Sequence, residues 1–279
     1  MSRWWNQRRF DAVELAFVSL LAALMALTAV RARHSRVSFV AYSASQEAAR
    51  LEQLYGPSKY SRHEEEWIIR DYFGDRRGGV FVDVGANHYQ HESNTYYLER
   101  TLGWSGIAVD PQVDFAEGYR AHRPRTRFFA FFVSDFSDER VTLYLADGNS
   151  LVASSDKAFT ERGGSRLLEP SLATRAVTVA TIRLTDLLDR AGVSHIDLLS
   201  VDVELAEPRV LAGFDIDRFA PELVCIEAHP EVRQAILDYF AAHRYVVVGR
   251  YLRADLQNLY FQPASSPGPP PMPPRAGSR

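Results

Sequence analysis

Short apolar runs that end in an acidic residue recur along the middle of the chain. The acids that close them are Asp83, Asp110, Asp135, Asp202 and Glu227. Such runs are too short for a buried helix and are typical of strands buried on both faces of a parallel sheet. Segments with helical patterning separate them, at residues 94–102, 184–190 and 231–243. The alternation predicts an α/β fold with a doubly wound, mostly parallel sheet.

The same patterning places the individual elements. Predicted strands cover residues 80–84, 107–109, 128–133, 141–145, 196–201 and 223–226, and residues 246–248 and 258–261 predict a closing hairpin. A short helix is predicted over 208–213, between a proline and a glycine. Ser61 and Glu64 have the spacing of a capping box that opens a helix. The polar stretch 148–170 predicts a long surface loop.

The first 36 residues contain a long apolar segment. Residues 12–30 are apolar or small apart from Glu14, Ser19 and Thr28, and arginines lie on both sides. This is close to the length of about 20 residues that a membrane-spanning helix needs. We therefore predict an N-terminal membrane anchor within residues 1–36, with a cleaved secretory signal as the alternative.

The rest of the chain divides into three parts. Residues 37–59 are of mixed character and predict a linker. Residues 60–262 carry all the alternating elements and predict one folded domain. Residues 263–279 hold half of the 14 prolines and almost no large apolar side chain, so we predict a disordered tail.

Composition excludes two classes of partner or site. The net charge is −3, and the predicted domain has no cluster of Lys and Arg interleaved with aromatic residues, so we expect no nucleic-acid partner. Cys225 is the one cysteine, so the chain can form neither an internal disulfide nor a cysteine-based zinc site.

A glycine turn follows the first predicted strand. Gly85 lets the backbone approach a ligand closely, and Asn87 can cap a helix or bind a ligand carboxylate. Asp110 lies 27 residues after Asp83. This is near the offset of about 20 residues at which an acid binds both ribose hydroxyls in nucleotide-binding folds.

The turn lacks the further glycines of a dinucleotide-binding loop. Asn87, His88 and Tyr89 follow Gly85, and their bulk argues against a bound pyrophosphate. A cofactor with a ribose, an amino-acid end and no phosphate fits better, which predicts S-adenosylmethionine. A nicotinamide-dependent oxidoreductase and a catalytically silent scaffold are the alternatives.

Several short motifs together resemble the FkbM family of S-adenosylmethionine-dependent methyltransferases. They are Val-Asp-Val-Gly-Ala-Asn at 82–87, Ser-Asn-Thr at 93–95, Gly-Trp-Ser-Gly at 103–106, Val-Asp-Pro at 109–111, Ser-Asp at 134–135 and Leu-Ser-Val-Asp-Val-Glu at 199–204. The resemblance covers about residues 60–263 and implies the class I methyltransferase fold, which is Rossmann-like. It also implies methylation of hydroxyl oxygens on sugars or natural products.

The resemblance implies roles for the cofactor-binding residues. Asp83, Gly85 and Asn87 would surround the methionine end of the cofactor, Asp110 would bind the ribose, and Asp135 would face the adenine amino group. The chain departs from the family pattern at two places. His88-Tyr89 stand where a second glycine is common, and Leu205 replaces the glycine of Glu-Gly-x-Glu.

A methyl transfer to a hydroxyl needs a base that takes the acceptor's proton. We predict Asp202, Glu204 and His229 as candidates for it. Asp202 with Glu204 could instead bind a divalent cation, but two carboxylates at this spacing are weak evidence and we predict no metal.

The acceptor is expected to be a small molecule or glycan: a sugar, a lipid-linked glycan or a secondary metabolite. Because the methyl donor is made in the cytosol, the catalytic domain is expected to face the cytoplasm from the membrane. The sequence makes no prediction about the oligomeric state.

Overall fold

A computed structural model describes residues 46–147, 149–162 and 172–270. Its elements, in chain order, are α1 (residues 46–55), α2 (Glu65–Phe73), β1 (Val80–Val84), α3 (Tyr96–Leu102), β2 (Ser105–Val109), a 3₁₀ helix (Val113–Phe115), α4 (Ala116–His122), β3 (Thr126–Phe129), β4 (Phe132–Ser134), β5 (Arg140–Ala146), β6 (Asn149–Ser154), α5 (Lys157–Glu161), β7 (Thr174–Arg183), α6 (Leu184–Ala191), β8 (Leu198–Val201), α7 (Glu207–Ala212), α8 (Ile216–Phe219), β9 (Leu223–Glu227), α9 (Arg233–Ala242), β10 (Tyr245–Val247), a second 3₁₀ helix (Gly249–Tyr251) and β11 (Asn258–Pro263).

Seven strands form the main sheet, in the order β10-β11-β9-β8-β1-β2-β3. The five strands from β9 to β3 run parallel, and β11 is antiparallel to both of its neighbours. The chain adds β2 and β3 on one side of β1 and β8 and β9 on the other. The strand order therefore reverses between β1 and β8, which is where ligands bind in open α/β sheets.

Both faces of this sheet are covered. Val82 and Val84 of β1 pack into one apolar cluster, while Phe81 packs into a second cluster on the other face. Alternate residues of a strand point to opposite faces, so two clusters mean that helices cover the sheet on both sides. The predicted mostly parallel α/β sheet is confirmed.

A second sheet of four strands has the order β4-β7-β5-β6. The apolar run 128–133 was expected to be one strand, but it divides into β3 of the main sheet and β4 of the second sheet. The predicted surface loop 148–170 is wrong at β6 and α5, and β7 was not predicted at all. The second sheet extends above the edge of the main sheet on which the predicted acids lie.

The structured part of the chain begins before the predicted boundary at residue 60. Residues 46–55 are helical, and Leu51 is fully buried in the same cluster as Phe81. At the other end, Pro263 belongs to β11, and the carbonyl of Pro270 accepts a hydrogen bond of 2.8 Å from Arg250 Nη1. The predicted tail is therefore in contact with the domain up to residue 270, and residues 271–279 lie outside the described part.

The predicted location at a membrane is corrected. No helix within residues 46–147, 149–162 and 172–270 is both long enough and apolar enough to span a bilayer, which contradicts that prediction. The predicted anchor over residues 12–30 lies outside the described residues. We do not retain the membrane location.

The start of α2 differs in detail from the predicted capping box. Ser61 Oγ accepts a hydrogen bond of 3.0 Å from the backbone N–H of Glu66, and Glu65 Oε2 accepts one of 2.7 Å from His63. These bonds join Ser61 to Glu66 and His63 to Glu65, so the reciprocal pair of Ser61 and Glu64 predicted from the sequence does not form. This shift fixes the buried carboxylate of Glu65 at the edge of the candidate site.

Candidate active site

A cleft lies at the carboxyl ends of β1, β2 and β8, and the second sheet forms its far wall. Its polar lining consists of Arg62, Glu65, Asn87, Glu92, Asn94, Asp110, Gln112, Asp202 and Glu204. Its apolar lining consists of Val84, Val109, Pro111, Phe131, Phe132, Val133, Leu143, Ala153 and Val203. Its empty space is about 830 Å³, which includes the opening to solvent. A concave site with apolar walls and a few polar groups is typical of small-molecule binding sites.

Gly85 stands at the point where β1 meets the segment after β8. Its φ is +83°, and a Cβ built on it would lie 1.7 Å from the carbonyl oxygen of Asp202. A glycine is therefore required by the close approach of two backbone segments. We expected Gly85 to make room for a ligand, but the structure shows that it first makes room for the chain next to Asp202.

The backbone amides of this turn already have partners. The N–H groups of Gly85 and Ala86 both donate to the carbonyl of Val109, at 2.8 and 3.1 Å. The N–H of Asn87 donates to Asp110 Oδ2 at 3.0 Å. Helix α3 begins only at Tyr96, where Ser93 Oγ accepts its N–H at 3.1 Å. A pyrophosphate binds free amides at a helix N-terminus, and the amides of residues 85–87 are already used and lie well before the start of α3.

Asp110 is buried at the end of β2 and lines the cleft. Its two carboxylate oxygens each accept one backbone hydrogen bond, from Asn87 and from Gln112. Burial raises the pKa of Asp110 to about 6, and those two N–H groups oppose the rise. An ionised carboxylate has room for further hydrogen bonds on each oxygen, so Asp110 can still accept from hydroxyl groups of a ligand.

Asp83 lies on the same face of the sheet as Asp110, because it pairs with Ala108, two residues earlier on β2. It is buried and is not among the described residues that line the cleft. Its Oδ2 accepts a hydrogen bond of 2.8 Å from Thr95 Oγ1, to which Arg123 also donates. Asp83 therefore anchors the loop before α3 and does not contact the cleft as expected.

Asp135 lies outside the cleft. It follows β4, which belongs to the second sheet, so its carboxylate is not at the edge of the main sheet. Its Oδ1 is 3.3 Å from Arg209 Nε, and the side chain is half-exposed. The expected contact between Asp135 and an adenine amino group is not supported by this position.

Asp202 and Glu204 follow β8 and do line the cleft. Within the described residues, the Asp202 carboxylate makes no hydrogen bond or ion pair with the protein. Enclosure by the surrounding protein, and then the carboxylates of Glu227, Glu204 and Glu207, raise its pKa well above the ordinary value. Water reaches Asp202 through the cleft and reduces the effect of enclosure. Repulsion between the carboxylates is therefore the main cause of its raised pKa.

His229 lies behind Glu204 and is not among the described residues that line the cleft. Its Nε2 is 3.5 Å from Glu204 Oε2 and 3.1 Å from Glu227 Oε1. These two carboxylates raise the pKa of His229 to about 10. Because His229 does not line the cleft, it has no contact with an acceptor bound there and does not fit the predicted role of base.

The sequence of residues 83–247 matches the methyltransferase FkbM domain. This match spans more than half of the chain. The chain belongs to the FkbM methyltransferase family. No protein with curated function matches this FkbM chain.

Three solved structures are similar to this FkbM-family chain in fold. One is a TehB-like SAM-dependent methyltransferase from Corynebacterium glutamicum, with 12% identity and a TM-score of 0.39 over 80% of this chain and 97% of that one. A proposed RNA methyltransferase from Pyrococcus horikoshii has 15% identity and a TM-score of 0.37, over 80% and 98% of the two chains. A proposed rRNA methylase from Clostridium thermocellum has 8% identity and a TM-score of 0.37, over 75% and 98%.

The residues at which this FkbM chain departs from the family pattern do not line the cleft, among those described. Tyr89 stacks on His122 at 4.5 Å between ring centroids, on the outer side of the loop. Leu205 packs against the cluster of Ala146 and Phe159. Its φ is +79°, so it occupies a conformation that favours the glycine of other family members.

The sequence alone did not identify two buried carboxylates near the cleft of this FkbM chain. Glu65 lines it from α2, and burial followed by repulsion from Asp255 raises the pKa of Glu65 to about 7. Glu207 begins α7 and is fully buried, with Oε1 accepting the N–H of Val203 at 3.1 Å. Acids placed next to apolar residues in predicted helices were the only available signal, and it is a weak one.

We expect Glu207→Gln to stabilise the protein at high pH. Burial and then the charge of Glu227 raise the pKa of Glu207 from 4.5 to about 8. The folded state therefore holds a proton that the unfolded state has lost, and stability falls as pH rises from about 4.5 to 8. Glutamine removes this loss, so the free energy of unfolding should rise by about 2–4 kcal/mol at pH 9 and change little at pH 4.

Urea unfolding of both proteins at the two pH values measures this difference. The exposed Glu117→Gln serves as the control and should leave stability unchanged at each pH. An equal effect of Glu207→Gln at pH 4 and pH 9 would show that ionisation of Glu207 does not destabilise the fold.

We expect Gly85→Ala to be strongly destabilising. The new Cβ would overlap the carbonyl oxygen of Asp202 and would require a positive φ. Together these effects should cost about 3 kcal/mol or more. Thermal unfolding should show a Tm lower by about 6–12 °C. The matched control is Gly249→Ala, where a Cβ meets no atom within 4 Å, and it should melt close to the parent chain.

Proposed function

We propose that this protein transfers a methyl group from S-adenosylmethionine to a hydroxyl oxygen of an uncharged small molecule or glycan. Family membership supports methyl transfer in general. The choice of S-adenosylmethionine as the donor rests on one observation, which is the hydrogen bonding of the turn at Gly85. Its amides are used within the protein, while a carboxylate, Asp110, is presented to the cleft.

The cleft offers groups that match the parts of this donor. Asp110 would accept hydrogen bonds from the two ribose hydroxyls, and apolar residues such as Val109 and Phe131 would contact the flat base. Asn87 and Asn94 offer side-chain amides for the amino-acid end. When bound, S-adenosylmethionine supplies an electrophilic methyl group on a sulfonium centre.

Asp202 is our candidate for the base. It lies in the cleft, and its carboxylate has no partner among the described residues. A raised pKa makes its carboxylate a better proton acceptor than an ordinary aspartate. Asp202 would accept the proton of the acceptor hydroxyl, and the apolar wall of Phe132 and Leu143 would exclude water from the reacting atoms. Glu204 would fix the loop after β8 and orient the acceptor.

The charge of the cleft favours an acceptor without phosphate or carboxylate groups. Five acids line it, Glu65, Glu92, Asp110, Asp202 and Glu204, against one described cation, Arg62. An anionic acceptor would meet repulsion from each of these acids that is ionised, and it would raise their pKa values further. A neutral sugar or natural-product hydroxyl would not.

Two other functions remain as outcomes of the test. A nicotinamide-dependent oxidoreductase would need amides for a pyrophosphate, and those of Gly85, Ala86 and Asn87 are already used within the protein. A catalytically silent scaffold would have no use for a carboxylate with a raised pKa in the cleft, such as Asp202.

The proposal is tested in cells fed with methionine that carries a deuterated methyl group. Extracts of cells with the gene, without it, and with Asp202→Asn are compared by mass spectrometry. We expect a compound that gains one labelled methyl on oxygen with the intact gene only. A labelled product that is equally abundant with Asp202→Asn would exclude the proposed base, and no gene-dependent labelled product would exclude the function.

A further inference from the structure

A group of carboxylates with one imidazole lies beside the cleft, at the ends of β8 and β9. Glu204, Glu227 and His229 each present one ligand atom, and the three atoms lie within 4.8 Å of one another. All three side chains are mostly buried. Among the described residues, no Lys or Arg side chain makes an ion pair with any of them.

The distances within this group are those of atoms that share one ion. Ligands that bind a metal at about 2.0–2.2 Å lie about 3.0–3.5 Å from each other. His229 Nε2 is 3.1 Å from Glu227 Oε1 and 3.5 Å from Glu204 Oε2. These two separations therefore fit ligands of one ion, and the third pair, Glu204 and Glu227, lies within 4.8 Å.

The contacts of His229 are not hydrogen bonds. Its Nε2 is buried and has no hydrogen-bond partner, although Glu227 Oε1 is only 3.1 Å away. The oxygens must then lie away from the direction of the ring N–H. Two ligands of one ion are related in this way, because each points its lone pair at the ion and not at the other ligand.

A third carboxylate, next to the group, also has an unused oxygen. Glu207 is fully buried, and its Oε1 accepts the N–H of Val203, which precedes Glu204. Its Oε2 is buried without a hydrogen-bond partner, as is Glu227 Oε2. Buried carboxylates are normally paired or bound to a metal, and the described part of the chain supplies one imidazole for these three acids.

We propose that Glu204, Glu227 and His229 bind one divalent cation, with the buried carboxylate of Glu207 adding negative charge nearby. Carboxylate oxygens with one imidazole nitrogen suit a hard to borderline ion such as Mn²⁺. Glu204 also lines the cleft, so the bound ion sets the charge of the cleft wall next to Asp202. This site was not expected from the sequence, because Glu207, Glu227 and His229 meet Glu204 only in the folded chain.

The test titrates the metal-stripped full chain with Mn²⁺ and follows free Mn²⁺ by electron paramagnetic resonance, without S-adenosylmethionine. We expect one bound ion per chain. Glu227→Gln and His229→Gln should each weaken binding by at least about tenfold. The matched control is His243→Gln, because His243 lies 2.9 Å from the exposed Asp217 and is in no group of metal-ligating side chains among the described residues, so it should leave binding unchanged.

Circular dichroism and thermal unfolding show whether each variant is folded, so that weaker binding can be assigned to the lost ligand. Glu227→Gln removes one of several repelling charges, so without metal it should melt at or above the temperature of the parent chain. No binding up to about 1 mM Mn²⁺ would overturn the proposal, since even weak protein sites bind in this range. Binding that is equal in Glu227→Gln, His229→Gln and the parent chain would also overturn it. Because no methyl donor is present, neither result bears on the methyltransferase proposal.

Discussion

Asp202→Asn should lower kcat for methyl transfer by about 10²- to 10⁴-fold, because it removes the group that takes the acceptor's proton. Its affinity for S-adenosylmethionine should change little, since asparagine has the same size. In the parent chain, kcat should rise with pH as Asp202 loses its proton. The rise should lie above the pH range of an ordinary carboxyl, because neighbouring carboxylates raise the pKa of Asp202. The variant should lack this rise.

Steady-state rates with the acceptor found in the labelling experiment, measured across pH, provide the comparison. Asp138→Asn changes an exposed acid that pairs with Arg190 far from the cleft and is the control. If Asp202→Asn retains the pH dependence of the parent chain, another group is the base. Glu204 would then be the next candidate, because it lines the same cleft.

Asp110→Ala should weaken the binding of S-adenosylmethionine by about 30- to 1,000-fold. Two hydrogen bonds from hydroxyls to a carboxylate are together worth about 2–4 kcal/mol when they are lost. The change also removes the acceptors for the N–H groups of Asn87 and Gln112, so the turn loses part of its support. Isothermal titration calorimetry gives the affinity directly.

Two further variants separate these effects. Asp110→Asn keeps one oxygen for the turn but loses the charge, and it should bind with an intermediate affinity. Asp114→Ala changes an exposed acid on the same segment and should bind like the parent chain. If Asp110→Ala binds S-adenosylmethionine as tightly as the parent chain, Asp110 does not hold the ribose.

The parts of the fold that were predictable are those where local pattern and tertiary position agree. β1, β2 and β9 are short, mostly apolar runs between helical segments. Such a run predicts a buried parallel strand and is rarely anything else. The run 128–133 was misassigned because its apolar residues continue through the point where the chain leaves one sheet for another. That error also placed Asp135 at the wrong sheet edge.

Within the candidate site, only the residues that directly follow strands of the main sheet were predictable from the sequence. Asp110 and Asp202 end strands of the main sheet, so strand ends were enough to place them. Asp83 lies within β1, one residue before its end. It accepts a hydrogen bond from Thr95, to which Arg123 also donates, and these contacts depend on residues that are distant in sequence. The placement of Glu65 and Glu207 depends likewise on how α2 and α7 pack.

The family pattern explains one strained segment. Glu204 and Leu205 both have positive φ, which costs a non-glycine residue about 1–2 kcal/mol. The glycine that is common here in the FkbM pattern would adopt this φ without strain. Here the Leu205 side chain packs against Phe159, which in turn contacts the ring of His229. The strain is thus offset by packing that holds the segment between the cleft and the carboxylate group.

The most direct measurement is a calorimetric titration of the purified chain with S-adenosylmethionine and, in parallel, with NAD⁺. The amides of residues 85–87 are used within the protein, and the Asp110 carboxylate faces the cleft. Such a site should bind S-adenosylmethionine, which has no phosphate, in preference to NAD⁺. We predict one site for S-adenosylmethionine with a dissociation constant of about 1–100 µM, in the range usual for enzyme substrates, and no binding of NAD⁺ at the same concentrations. Binding of NAD⁺ as tight as that of S-adenosylmethionine, or no binding of S-adenosylmethionine, would contradict this account.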